Sequence, residues 1–266
     1  MQERHFVVLV GGPGLYNGDD PDHDKAWYNY IDPVMSAAKS RQLSRPTEHV
    51  HWYVYGPAYE KRWADDATEP SFYERKIQDS RLQVTRYGHT KKVLAEGASN
   101  YLDYIRKKAA AYARAGSSKI TVVTNWWSRS PLSLPANNFW TELGKFPDQS
   151  ISRVWFLGHA ANDLWLSLEH DSDDRAVSPD TSEIVNQVDI SKHGGLSKKF
   201  AFSNAAIMVD QTPCKFYGCN TKNFAKLWSS TFKVRAEGAD GKVNFNRSSL
   251  KDIEASAQYG WVKYGP

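Results

Sequence analysis

The feature that most constrains the fold is a recurrence. Short apolar runs, rich in β-branched and aromatic residues, are each halted by a turn residue. Residues 6–10 stop at Gly11-Gly12-Pro13-Gly14, 50–55 at Gly56-Pro57, 119–124 at Asn125 and 154–157 at Gly158. Residues 215–217, closed by Gly218, and 233–237, closed by Gly238, continue the series. Runs of this length and character read as strands buried on both faces. The stretches between them carry the helical period. Residues 91–114 are the strongest, with Val93, Leu94, Tyr101, Leu102, Ile105, Ala109 and Tyr112 recurring before a stop at Gly116. Residues 26–40, interrupted at Pro33, residues 138–144, and a stretch entered through Asn220 or Thr221 are further helices. The charged residues 60–88 and the acidic residues 169–189 read as surface loops. Alternation of strand and helix predicts an α/β fold: a mostly parallel sheet flanked by helices on both faces, with right-handed crossovers. No linker composition divides the chain, so residues 1–266 are expected to form a single domain.

Composition narrows the function. The chain has 266 residues, 41% of them apolar, enough to bury a core without staples. No apolar run approaches the roughly 18–20 residues of a membrane helix, and the only apolar run near the start is 6–10, too short for a signal peptide. A cytoplasmic location, or export by a route without a signal peptide, is expected. Net charge is +4 from 34 basic and 30 acidic residues, with no basic stripe. Neither nucleic acid nor a membrane is therefore an expected partner. The two cysteines, Cys214 and Cys219, would stand about 16 Å apart on an extended strand. A disulfide needs Cα atoms within about 7 Å, so they are not expected to pair, and two cysteines make no zinc ribbon. Ten tryptophans suit an aromatic core, and Trp126, beside a strand end, is a candidate substrate-lining ring.

In sheets of this kind, functional groups gather at the carboxyl ends of the strands. Two strand ends share one design: Phe156-Leu157-Gly158-His159-Ala160 and Phe216-Tyr217-Gly218-Cys219-Asn220. If the two strands are parallel neighbours, roughly 4.8 Å apart, His159 and Cys219 emerge side by side. A thiol and an imidazole so placed supply a nucleophile and its base. A helix starting at Asn220 or Thr221 would put Cys219 at a positive helix end, which favours the thiolate. Cys214, at the start of its strand, belongs to the opposite edge and is read as structural. His49 and His51 alternate on one strand face without an obvious third ligand, and are read as polar surface.

The two strand ends resemble those of the caspase-like cysteine peptidases (clan CD), which place His-Gly after one apolar strand and Cys after the next. The resemblance covers mainly residues 119–240. It implies a caspase-like α/β fold and a cysteine endopeptidase acting on a protein or peptide. Cys219 would be the nucleophile and His159 the general base and acid. The backbone amides of Ala160 and Cys219 would form the oxyanion site. The departure is Ala160, where the family has glycine.

Around this pair, the loop after the first strand carries Asp19, Asp22, His23 and Asp24. Its carboxylates would favour a basic residue in the substrate, or hold Ca²⁺. Asn162 and Asp163 would line the pocket or orient the imidazole. Two other readings stand beside the peptidase: a non-catalytic caspase-like binding or effector module, and a metal-dependent hydrolase built on Asp19, Asp22, His23 and Asp24. No phosphate-loop lysine follows Gly11–Gly14 and no Gly-x-Ser-x-Gly elbow occurs, which argues against nucleotide and serine-hydrolase chemistry.

Overall fold

The computed structural model describes residues 3–12, 27–39, 48–68, 97–116, 119–126, 128–130, 133–137, 139–161, 165–167, 184–201, 214–245 and 249–265. Its elements run β1 (Arg4–Val10), α1 (Asp32–Lys39), β2 (Glu48–Val54), α2 (Gly56–Thr68), α3 (Tyr101–Gly116), β3 (Lys119–Val123), β4 (Ser128–Ser130) and β5 (Ser133–Asn137). There follow α4 (Phe139–Lys145), β6 (Ile151–Leu157), β7 (Ala160–Ala161), β8 (Trp165–Ser167), β9 (Ile184–Asn186), α5 (Gln187–Lys192) and a 3₁₀ turn (Gly194–Lys199). The chain closes with β10 (Cys214–Tyr217), α6 (Lys222–Phe232), β11 (Ala236–Ala239), α7 (Leu250–Ala255) and β12 (Trp261–Tyr264).

Seven strands form the main sheet in the order β12-β11-β10-β6-β1-β2-β3. All are parallel except β12, which runs antiparallel to β11 at one edge. The α/β class and the mostly parallel sheet therefore agree with the sequence pattern. Burial explains the apolar runs. On β1, Phe6, Val8 and Val10 enter one core with Trp27, Val34, Tyr101, Ile105 and Ile253, from α1, α3, α7 and the turn before α1. Val7 and Leu9 enter the other with Leu143, Ile190, Phe224 and Trp228, from α4, α5 and α6. A strand covered on both faces has no polar alternation to show.

Several boundaries differ from the sequence pattern. Pro33 lies in the first turn of α1, where a missing N–H costs nothing, and so begins the helix rather than interrupting it. Gly56-Pro57, expected as a turn, opens α2; a Cβ at Gly56 would stand 2.7 Å from the Thr124 carbonyl oxygen. The α2 helix also takes up the start of the stretch expected as a loop from residue 60. The long helix begins at Tyr101, because Asn100 Oδ1 caps it by accepting from the Asp103 N–H at 2.9 Å, with Gly97 in the left-handed region just before; residues 91–96, expected as part of it, lie outside the described residues. The last parallel strand is Ala236–Ala239, three residues later than expected, because Lys233 is the left-handed cap of α6. Gly238 sits inside that strand: a Cβ there would meet the Thr221 carbonyl oxygen at 2.3 Å. It marks a close backbone approach, not a stop. β9 and the start of α5 occupy the end of the stretch expected as an acidic loop.

At the amino ends of the strands, β2 and β6 are tied across β1 by a buried ion pair. The Arg153 guanidinium bonds the Glu48 carboxylate, with side-chain exposures of 3% and 2%. Ser152 Oγ also donates to Glu48, at 2.6 Å, and the guanidinium lies 3.9 Å from the Phe6 ring centroid.

Candidate active site

β6 and β10 are parallel neighbours, paired Cys214 with Val154 through Tyr217 with Leu157. Two residues beyond Leu157 comes His159, and two beyond Tyr217 comes Cys219. The register thus brings both to the same step past the carboxyl edge, and the Gly158 N–H extends the ladder by donating to the Tyr217 carbonyl at 3.2 Å. The two glycines allow the strand ends to meet. A Cβ on Gly158 would stand 2.7 Å from the Phe156 ring, and one on Gly218 would stand 2.9 Å from Ala160 Cβ and 3.1 Å from the Gly158 oxygen. The two loops are in backbone contact, and larger residues would push them apart.

The turn that carries Cys219 is pinned on several sides. Thr221 Oγ1 donates to the Phe216 carbonyl (2.7 Å) and accepts from the Ala239 N–H (3.0 Å), and the Asn220 N–H donates to the Gly241 carbonyl (2.8 Å). Asn220 is in the left-handed region, φ 56°, a conformation asparagine tolerates better than most residues. The helix begins only at Lys222, with Thr221 in the cap position. Cys219 therefore precedes the cap, and the helix-end field expected to act on it falls off over that distance. The thiol is half-buried. Sγ accepts from the Val243 N–H at 3.4 Å and lies 3.7 Å from the Val243 carbonyl oxygen, to which it donates.

His159 is buried, its ring edge-on to Tyr30 with centroids 5.4 Å apart, and Tyr30 in turn meets Phe245 at 4.7 Å. Cys219 and Phe245 both pack against the core that contains Tyr30. Tyr30 and Phe245 are thus an aromatic wall beside the pair that sequence reasoning missed. The only signal for Tyr30 was an aromatic-rich stretch, which reads equally well as a helix face. Ala160 opens β7, part of a three-stranded antiparallel sheet with β8 and β9 immediately beyond the histidine.

The remaining predicted residues fall in three groups. Trp126 is 2% exposed, donates from Nε1 to the Val54 carbonyl at 3.0 Å and packs edge-on to Tyr53. Its ring serves the core and offers no face to a substrate. Cys214 is fully buried at the start of β10, and burial pushes its thiol up to about 12, so it stays protonated and inert. Neither cysteine is in a disulfide. Asp19, Asp22, His23, Asp24, Asn162 and Asp163 lie outside the described residues.

A second constellation lies at the opposite edge of the sheet. His5 pairs with His49 in the β1–β2 register, and His51 follows two residues on, so all three rings project from one face. His5 Nδ1 is 3.1 Å from His51 Nε2, and His49 Nε2 is 2.8 Å from Thr121 Oγ1. Phe146 covers the group, 4.8 Å from both the His5 and His51 rings. Burial holds His51 down to about 3, with His49 and His5 adding to the effect, and burial also lowers His5 and His49. These residues are therefore not the polar surface expected of His49 and His51. The third member was invisible to spacing because it comes from another strand.

Among the described residues no helix is long and apolar enough to cross a membrane. No protein-family model matches the chain, and no curated protein or solved structure is significantly similar to it.

Proposed function

We propose that the chain is a cysteine peptidase of caspase-like type, with Cys219 as nucleophile and His159 as general base and acid. The observation that carries this reading is the β6–β10 register, which sets an imidazole and a thiol at equivalent steps past adjacent parallel strands. His159 takes the thiol proton and Sγ attacks the peptide carbonyl carbon. The carbonyl oxygen, now negative, is held by the backbone amides of Ala160 and Cys219. Collapse of the adduct expels the amine, which leaves with the proton from His159. Water, deprotonated by His159, then hydrolyses the thioester and regenerates the thiol. The Val243 N–H supports this chemistry, because it continues to donate to sulfur after the thiol proton has left. A basic residue beside the cut bond is the preference suggested by Asp19 and Asp22.

One observation favours a different reading, a non-catalytic binding or effector module. Sγ already donates to the Val243 carbonyl, as a structural thiol would. Hydrolysis of a peptide library, read by mass spectrometry, separates the two. The peptidase reading expects cleavage products that vanish in Cys219→Ala. Products that persist in that variant would remove Cys219 from the chemistry, and no cleavage of any library member by wild type would favour the module.

A further inference from the structure

We propose that His5, His49 and His51 form a binding site for one zinc-class divalent cation, on the edge of the sheet opposite the Cys219–His159 pair. One ligand nitrogen from each ring lies within 4.8 Å of the others. Ligands at about 2.0–2.1 Å around a tetrahedral zinc stand roughly 3.3 Å apart. The His5–His51 separation of 3.1 Å already matches that spacing, and a His49 nitrogen lies within 4.8 Å of both. Two neighbouring strands hold all three side chains, so the set is positioned by the rigid part of the fold.

The chemistry of the donors selects the ion. Imidazole nitrogens suit Zn²⁺, Ni²⁺ and Cu²⁺, whereas Ca²⁺ and Mg²⁺ demand oxygen ligands. Thr121 Oγ1, at 2.8 Å, fits the role of an outer partner that orients the His49 ring. Glu3 Oε1 lies 3.8 Å from His49 Nδ1 and is the carboxylate at hand to offset the ion's charge. It is currently paired with Lys119 at 2.7 Å. Three protein ligands leave a fourth position for water or Glu3.

The test is titration of chelator-stripped full chain with Zn²⁺, read by calorimetry and by metal analysis after gel filtration. Co²⁺ serves as the spectroscopic stand-in. One ion per chain is expected, with a melting temperature that rises with free zinc. His49→Gln and His5→Gln should each weaken binding by more than about 100-fold, the upper end of what losing an outer partner costs. The His159→Ala/Cys219→Ala double variant should bind zinc like wild type, which separates this site from the proposed dyad. His49, partly exposed, is the deciding position, since its substitution leaves the metal-free melting temperature near that of wild type. Zinc binding unchanged in His49→Gln, or no stoichiometric binding by wild type at tens of micromolar free zinc, would overturn the site.

Discussion

The two edges of the central sheet carry different kinds of chemistry. At the carboxyl edge, His159 and Cys219 sit on turns just past β6 and β10, with glycines at the loop contact and a half-buried sulfur. At the amino edge, His5, His49 and His51 project from within the strands themselves, beneath Phe146, while the Glu48–Arg153 pair ties β2 to β6 on the other face of the sheet. His159 and Cys219 lie past the last register pairs of β6 and β10, whereas the three histidines belong to β1 and β2 themselves. On the proposed reading turnover belongs to the carboxyl edge, while the buried ion pair gives the amino edge its part in cohesion.

Substitutions at the two edges should therefore separate activity from stability. The largest expected effect is on peptide hydrolysis in Cys219→Ala, a loss of roughly 10⁴-fold or more, with the circular dichroism spectrum and urea midpoint kept. His159→Ala should lose about 10²–10⁴-fold, the range of a general base. At the other edge, Glu48→Leu strands the Arg153 guanidinium at 3% exposure and should cost about 3–5 kcal/mol in urea unfolding. Its folded fraction should retain full activity per molecule. Full stability in Glu48→Leu would break the assignment of cohesion to the amino edge. A smaller effect is expected in Gly218→Ala. Its Cβ would crowd Ala160 at 2.9 Å, with an overpacking cost of about 1–3 kcal/mol. Turnover there should fall further than stability, because the displaced turn carries the proposed nucleophile. A stable and fully active Gly218→Ala would show that the contact between the loops does not set the geometry.

The two edges also differed in how far they could be read from the residues. The carboxyl-edge pair was legible because each member follows its own strand and glycine, so spacing from a strand end is a local property. Adjacency of β6 and β10 then needed only the parallel-sheet rule. The amino-edge triad was not legible, because His5 joins His49 only through the β1–β2 register, and register is a long-range property. Glycine misled at Gly238, expected to end a strand yet lying inside one, because the Thr221 carbonyl oxygen leaves no room for a Cβ; Gly56 does follow the end of β2, but as the first residue of α2. β12 escaped notice because Trp261-Val262-Lys263-Tyr264 is a short, half-exposed edge strand, without the continuous apolar run of a central one. Trp126 shows the limit of reading rings as binding surfaces: an indole buried with its N–H satisfied looks the same in sequence as one lining a groove.

The central claim is that Cys219 is activated by His159, and native thiol labelling tests it most directly. Wild type and His159→Ala would be exposed to iodoacetamide at graded pH, and the adducts mapped by mass spectrometry. Cys214, with its thiol held protonated by burial up to about 12, should remain unlabelled until the protein unfolds, and serves as the internal control. Cys219 is expected to label rapidly at pH 6, faster than in the unfolded chain, and to slow sharply in His159→Ala. Labelling of Cys219 no faster than in the unfolded chain, and unchanged by the loss of His159, would contradict the dyad.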